Sequence, residues 1–310
     1  MRSRVALLAM TTGLAMAAPT DVALDPAWLD RAWDFDRPAE SEARFRAKLA
    51  TLPRGSAASL EAATQLARAQ GLQREFNAAH STLDAVERGL PGQPERVSVR
   101  YLLERGRVFN SSRQPDKAVP LFQDALGRAR AAGEDFLAID AAHMLGIAAP
   151  AETQLKWNLE AVAMTERTSD ERARRWLASL YNNIGWTYHE RGDYASALAY
   201  FEKAVPAWEA RGDPRRVRIA RWTVARAYRS LGRNDDALAI QRQLALEGAA
   251  ANAPDGYVYE ELGELLLAKG EPAAAQANFA RAFELLGGDA ALRANDPERL
   301  ARLRRLGGIE

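Results

Sequence analysis

One unit of sequence recurs along most of this chain. In its clearest copy, residues 178–205 read ASLYNNIGWTYHERGDYASALAYFEKAV. Apolar and small residues fall three and four positions apart, which predicts two amphipathic helices separated by a turn at Gly192 and Asp193. The small residue of the first helix recurs every 38 to 40 residues, at Ala67, Gly106, Gly146, Gly185, Ala225 and Gly263. Such repeats bury their apolar faces only against their neighbours, so the pattern predicts an all-α solenoid.

The second helices carry a matching pattern. In five copies another small residue follows twelve positions later, at Ala79, Ala118, Ala197, Ala237 and Ala275. Repeat three departs from this rule. Its first helix is predicted to end at Pro150, and its second, QLKWNLEAV at 154–162, aligns with ALAYFEKAV only after the turn is shortened. Pro115 and Pro272 occupy the same early position of a second helix, where proline is tolerated.

The order of side chains in residues 178–205 resembles the tetratricopeptide repeat, whose recurring positions carry an aromatic residue, Leu-Gly, Tyr, Ala, Phe and Ala in this order. The resemblance implies a right-handed superhelical solenoid of about six helix pairs with terminal capping helices. The segments WDFDRPAESEARFR and NSSRQPDKAVPLF are also similar to segments found in a widespread group of bacterial tetratricopeptide proteins. This second likeness implies the same fold and supplies no activity.

Four segments are expected. Residues 1–18 are expected to be a signal peptide, 19–55 to form N-terminal capping helices, 56–288 to form the repeat array, and 289–310 to carry a C-terminal capping helix. The N-terminal caps are expected to bury five side chains: Trp28, Trp33, Phe35, Phe45 and Leu49. The C-terminal helix is predicted to start at Asp296-Pro297 and to run through Leu306.

The first eighteen residues have the features of a secretory signal. Arg2 and Arg4 precede the apolar run VALLAM, and Ala15-Met16-Ala17 offers a small-residue cleavage site. The apolar stretch is too short for a membrane span, so no span is expected in the mature chain. The mature chain is therefore expected to be periplasmic or secreted. The alternative is a non-native extension on a cytoplasmic protein, and the absence of cysteine argues for neither location.

Residues suited to catalysis or metal binding are sparse. The three histidines, His80, His143 and His189, lie in different repeats, and the chain has no HExxH, GxxxxGK[ST] or GxSxG motif. Without cysteine, no thiolate nucleophile or thiolate zinc site can exist. The expectation is a protein that is not an enzyme and that uses neither a metal nor a cofactor.

The resemblance to tetratricopeptide repeats implies that the first helices line a concave groove. The expected partner-binding residues there are Arg107, Asn110, His143, Asn182, Trp186, His189, Trp222, Arg226 and Arg229. Arginine binds carboxylates bidentately, asparagine can hold a peptide backbone, and tryptophan supplies contact area. Segment 214–233 contains seven arginines and no acid, which favours an acidic peptide or protein partner. The alternative is that the two tryptophans pack between neighbouring first helices, while the arginines are solvated or paired with acids.

Two other functions stay open at this stage. Helical-repeat proteins that bind RNA also have arginines on their inner surface. A net charge of +1 is low, however, for a surface that binds along a phosphate backbone. A hydrolase would need a carboxylate pair, which Glu260 and Glu264 could form because they are one helical turn apart. Salt dependence distinguishes the first alternative, because nucleic-acid affinity falls steeply as salt rises.

Overall fold

The computed structural model describes residues 23–309, and every regular element within that range is an α-helix. The described helices belong to two compact units, Met1–Leu121 and Phe122–Glu310, and α6 begins in the first and continues in the second. The all-α prediction is confirmed. The predicted signal peptide lies outside the described residues.

The first unit contains the N-terminal helices and the first repeats. Its helices are α1 (Pro26–Ala32), α2 (Pro38–Leu49), α3 (Ala57–Leu72), α4 (Phe76–Arg88), α5 (Glu95–Ser111) and the start of α6 (Pro115–Ala131). The Asp25 carboxylate caps α1 by accepting hydrogen bonds from the N–H groups of Ala27 and Trp28. Helix α3 packs against α2, α4 and α5, as expected for a helix at the start of a repeat array.

The N-terminal caps bury most of the predicted side chains. Phe45 is completely buried, and the rings of Trp28 and Trp33 meet its ring at centroid distances of 5.9 and 5.0 Å. Leu49 is partly buried in the same cluster. Phe35 departs from the expectation, because 50% of it is exposed. It lies in the loop after α1 and stacks flat on Trp33, which covers only one face of its ring.

The second unit consists mainly of helix pairs. After α6, its helices are α7 (Asp135–Ala148), α8 (Ala151–Arg167), α9 (Glu171–Arg174), α10 (Leu177–Glu190), α11 (Tyr194–Glu209), α12 (Pro214–Ser230), α13 (Asn234–Ala250), α14 (Gly256–Ala268), α15 (Pro272–Leu286), α16 (Ala290–Asn295) and α17 (Pro297–Leu306). Helices α7, α10, α12 and α14 each pack against the second helix of their own pair. The terminal helix α17 packs on α15 and begins at the predicted cap, where the Asp296 carboxylate accepts from the Arg299 N–H.

The turn between α10 and α11 shows why these helices end where they do. Gly192 has φ of +77°, a left-handed conformation that side chains disfavour, and it follows the last turn of α10. The Asp193 carboxylate then caps α11 by accepting from the Ser196 N–H at 3.1 Å. The predicted helix stop and helix start are both confirmed.

Close approach of the paired helices depends on the small residues. A Cβ added to Gly185 would overlap the ring of Phe201, which is fully buried. In repeat three the residue facing Gly146 is Asn158, whose Nδ2 donates to the Gly146 carbonyl at 3.1 Å. Helix α7 ends at Ala148 and α8 begins at Ala151, so the shortened turn predicted for this repeat is confirmed.

The short helices α9 and α16 were not predicted. Helix α9 lies in a segment of residues 168–176, where the Asp170 carboxylate accepts from two backbone N–H groups. Four residues are too few to establish the 3.6-residue period on which helix prediction depends. The segment ends at Trp176, whose ring lies near those of His143 and Phe136.

Candidate functional site

Seven of the nine predicted binding residues lie in the second unit, on the first helices α7, α10 and α12. They are His143, Asn182, Trp186, His189, Trp222, Arg226 and Arg229. Together with Tyr257, Glu260, Glu261 and Glu264 of α14 they form a surface that we call the inner face. Arg107 and Asn110 lie on α5, in the first unit.

Three aromatic rings cross the inner face from one helix to the next. The ring centroids of Trp186 and Trp222 are 6.3 Å apart, and those of Trp222 and Tyr257 are 6.5 Å apart. All three side chains are partly exposed. Trp186 also meets Phe201 edge-on at 5.3 Å, and Trp222 Nε1 donates to the Tyr257 carbonyl oxygen at 3.2 Å. The two tryptophans therefore do pack between neighbouring first helices, yet they keep surface that a ligand can cover. We call these three residues the aromatic stripe.

The inner arginines are held by a glutamate on the next first helix. Arg229 donates from Nε and Nη2 to the two carboxylate oxygens of Glu261, at 2.7 and 3.0 Å. Arg226 Nε lies 3.6 Å from the same carboxylate, which is too far for a hydrogen bond. Burial raises the pKa of Glu261, while the charge of Arg229 and its hydrogen bonds act to lower it. One carboxylate thus faces two guanidinium groups, which leaves an excess of one positive charge.

The arginine-rich segment 214–233 is less basic in the fold than in the sequence. Besides the two arginines bound to Glu261, Arg221 donates to Glu247 of α13 at 2.8 and 2.9 Å. Arg233 donates to Asp236, at the start of α13. Glu261 and Glu247 are not apparent from the sequence of this segment, because they lie in other helices. In particular, Glu261 is not among the nine predicted binding residues, and a long arginine reaches it from α12.

The two inner histidines are tied to neighbouring side chains. His189 Nε2 and the Ser230 hydroxyl are 2.9 Å apart, and the ring centroid lies 5.2 Å from that of Trp186. Burial and the nearby charge of Arg229 lower the pKa of His189. His143 Nδ1 lies 3.2 Å from the Asn183 amide nitrogen. Both rings therefore help to fix adjacent first helices.

Two polar groups of α10 lie at the aromatic stripe. Within residues 23–309, neither the half-buried side-chain amide of Asn182 nor the Trp186 Nε1–H has a hydrogen-bond partner. The two residues are one turn apart on α10, so their side chains are neighbours. Polar groups that are half-buried and unpaired in this way are available to a ligand.

In the first unit, several polar side chains of the first helices are hydrogen-bonded to one another. Arg107 Nη1 donates to Glu104 Oε1 at 2.8 Å, and the Gln65 amide donates to the same oxygen at 3.1 Å. Asn110 is half-buried in the last turns of α5. On α3, the completely buried Glu61 accepts from two arginines of α5 and from the backbone N–H of Leu24 at 2.8 Å. Leu24, which precedes α1, therefore lies against α3.

The two carboxylates considered for hydrolysis are each bound to an arginine of α17. Arg299 donates from Nε to both oxygens of Glu260 at 3.0 Å and from Nη2 to one of them at 2.6 Å. Arg302 forms an ion pair with Glu264. Each carboxylate is therefore held by its own arginine of α17, and the two do not form a pair with each other.

The described residues contain no group of three or more histidine, aspartate or glutamate side chains placed to hold a metal ion. Among the helices within residues 23–309, none is long and apolar enough to cross a membrane.

Comparisons with known proteins agree with the helix pairs described above. The sequence profile of the tetratricopeptide repeat matches residues 155–210 and 176–245. No curated protein matches the sequence. A tetratricopeptide repeat protein from Parabacteroides merdae is similar in structure, with 17% identity, coverage of 91% of this chain and 98% of that one, and a TM-score of 0.53.

Two further solved structures share the fold. The apo form of RapI has 10% identity and a TM-score of 0.67, and the match covers 91% of this chain and 79% of that one. NprR in complex with its cognate peptide NprX has 13% identity and a TM-score of 0.57, with coverage of 90% and 82%. The sequence thus matches the tetratricopeptide repeat over residues 155–245, and the described helices have the fold of solved tetratricopeptide-repeat structures.

Proposed function

We propose that this protein is a non-enzymatic scaffold that binds a peptide or protein segment on the inner face of the second unit. One observation carries the proposal. The Asn182 amide and the Trp186 indole N–H have no partner within residues 23–309, although they lie beside partly exposed aromatic rings. Peptide main-chain groups are the natural partners of such an amide, since it offers both a donor and an acceptor. The neighbour NprR, crystallised with its cognate peptide, supports a peptide as the class of partner.

An acidic side chain in the ligand fits the charge of this surface. Arg226 and Arg229 share the single carboxylate of Glu261, and only Arg229 is hydrogen-bonded to it. A ligand carboxylate can therefore bind Arg226 without breaking the bidentate pair. Charge-assisted hydrogen bonds of this kind are roughly twice as strong as neutral ones.

The proposal is tested with peptides selected from a random library on the wild-type protein and then synthesised. Asn182→Ala and Arg226→Ala are each expected to weaken binding about tenfold, which corresponds to about 1.4 kcal/mol. The matched controls are Asn278→Ala and Arg242→Ala, which remove the same side chains from a half-buried position on the second helix α15 and an exposed position on the second helix α13. Equal affinities in all five proteins would contradict the placement of the site.

The competing RNA function gives a different result in the same assay. Four of the seven arginines in segment 214–233 pair with acids, which leaves little charge to follow a phosphate backbone. We therefore expect no binding of single-stranded RNA at 150 mM salt. RNA binding that falls steeply with salt, and that is lost in Arg226→Ala, would replace the peptide proposal.

A further inference from the structure

We infer that the ligand of the inner face is an extended peptide whose alternate residues lie against Trp186, Trp222 and Tyr257 in turn. This inference rests on the proposed function and adds the conformation and sequence pattern of the ligand. It requires apolar side chains at positions i, i+2 and i+4, with an acidic residue next to this run.

The spacing of the rings is the first argument. Their centroids are separated by 6.3 and 6.5 Å. An extended chain rises about 3.2–3.4 Å per residue, and its alternate side chains point to the same face, so residues i and i+2 are about 6.4–6.8 Å apart. One ring of the stripe therefore corresponds to every second residue of an extended ligand.

A helical ligand fits this surface less well. Side chains on one face of a helix follow one another at i, i+3, i+4 and i+7, a mean advance of about 5.4 Å per turn. The Asn182 amide is the second argument. It has no partner within residues 23–309, and it can hydrogen-bond to main-chain groups only where the ligand has not already paired them within its own helix. An extended peptide exposes those groups.

The side chains beyond Tyr257 limit the length of this ligand. Beyond Tyr257, the guanidinium carbon of Arg299 lies 4.9 Å from the tyrosine ring centroid, and the same arginine is bound to Glu260. The stripe therefore offers three anchor positions, which an extended ligand occupies with five residues. Arg226, which forms an ion pair but no hydrogen bond with Glu261, lies one turn from Trp222 on α12, beside the stripe, so the ligand carboxylate comes from a residue that flanks the apolar run.

A palindromic peptide tests this without knowledge of the ligand's direction. In acetyl-Glu-Phe-Ser-Phe-Ser-Phe-Glu-amide, the central phenylalanine meets Trp222 whichever way the chain runs. Its isomer acetyl-Glu-Ser-Phe-Phe-Phe-Ser-Glu-amide has the same composition but can place only two rings on one face. We expect the alternating peptide to bind at least fivefold more tightly in fluorescence polarisation with labelled peptides. A third peptide, alanine-rich with phenylalanines at i, i+4 and i+7, tests the helical mode.

A double-mutant cycle locates the central contact. Changing the central phenylalanine of the alternating peptide to alanine should weaken binding to the wild-type protein at least fivefold, but to Trp222→Leu less than twofold. The same peptide change should keep its full effect in Trp157→Leu, a control on the second helix α8. The peptide series alone decides the pattern, even if the Trp222 variant is unstable.

The outcomes separate the two proposals. If the alternating peptide and its isomer bind equally, and both bind more weakly to Asn182→Ala, the site stands and the alternating pattern is overturned. Preference for the helical peptide overturns the extended conformation in the same way. If none of the three peptides binds, while library-selected peptides do bind and depend on Asn182, the pattern is again wrong. If neither these peptides nor the library yields a binder, the proposed function and the pattern both fail.

Discussion

Gln241 of α13 is expected to destabilise the fold, and replacing it should make the protein more stable. The side chain is completely buried, yet within residues 23–309 neither its amide oxygen nor its amide nitrogen has a hydrogen-bond partner. It holds the position taken by Phe201 and Phe279 in other repeats, sixteen residues after the small residue of the first helix. A buried polar group without a partner costs about 1–3 kcal/mol. Gln241→Met keeps the length of the side chain and removes both polar atoms.

The expected gain is about 2 kcal/mol in the free energy of unfolding, within that range. For a unit of this size, such a gain raises Tm by about 4–8 °C. Urea unfolding followed by circular dichroism measures the first quantity, and calorimetry measures the second. Gln243→Met, at an exposed position of the same helix, is the matched control and should change stability by less than about 0.5 kcal/mol. A loss of stability in Gln241→Met would show that the amide is hydrogen-bonded and would refute the reasoning.

A larger substitution at the same position tests why small residues face this site. Gly185 leaves no room for a Cβ against Phe201, whereas repeat five has Ala225 at the equivalent place. Gln241→Phe alone therefore overpacks the pair, at a cost of about 1–3 kcal/mol relative to Gln241→Met. Adding Ala225→Gly recreates the glycine–phenylalanine pair and should recover that loss. Additive effects of the two changes would contradict direct packing between these positions.

Three other outcomes are expected. Trp186→Phe keeps a ring on Phe201, so the free energy of unfolding should stay within about 1 kcal/mol, while loss of the indole N–H weakens peptide binding. Burial and Arg229 hold the pKa of His189 below its ordinary value near 6.5, so the unfolded state takes up more protons and stability falls as pH drops below about 6.5. His189→Asn should lessen this fall in urea titrations at pH 7 and pH 5.5. We also propose cleavage after Ala17 or Ala18 with export, and an intact N-terminus on cytoplasmic protein in mass spectrometry would contradict it.

The helix pairs could be predicted from the sequence because their determinants are local. Gly192 and Asp193 end one helix and start the next through bonds to residues within five positions, and Gly185 indicates the close approach of Phe201. Local signals of the same kind predicted the start of α17 at Asp296, whose carboxylate caps the helix. Helix α9 was missed because one turn of helix carries no period. The exposure of Phe35 depends on how a loop folds over Trp33, which no periodic pattern encodes.

The candidate site was predictable only in part, because its polar groups depend on contacts between repeats. The repeat fixes which side chains lie on the first helices, and seven of the predicted residues do lie there in the second unit. It does not fix which of those side chains neutralise one another. Glu261 is hydrogen-bonded to Arg229 and forms a longer ion pair with Arg226, although it is not among the predicted binding residues.

The sequence separations of these contacts explain why. Arg229 and Glu261 are 32 residues apart, Trp222 and Tyr257 are 35 apart, Arg299 and Glu260 are 39 apart, and His189 and Ser230 are 41 apart. If contacts followed the repeat period strictly, all these separations would be equal. They differ because long side chains can contact residues a helical turn or more before or after the equivalent position in the next repeat. An inner arginine is therefore as able to stabilise the stacking of repeats as to bind a ligand. Our proposal therefore rests on polar groups that the stacking of repeats leaves without hydrogen bonds. Within residues 23–309, the inner face offers the Asn182 amide and the Trp186 N–H, together with the hydrogen-bonding capacity of Arg226.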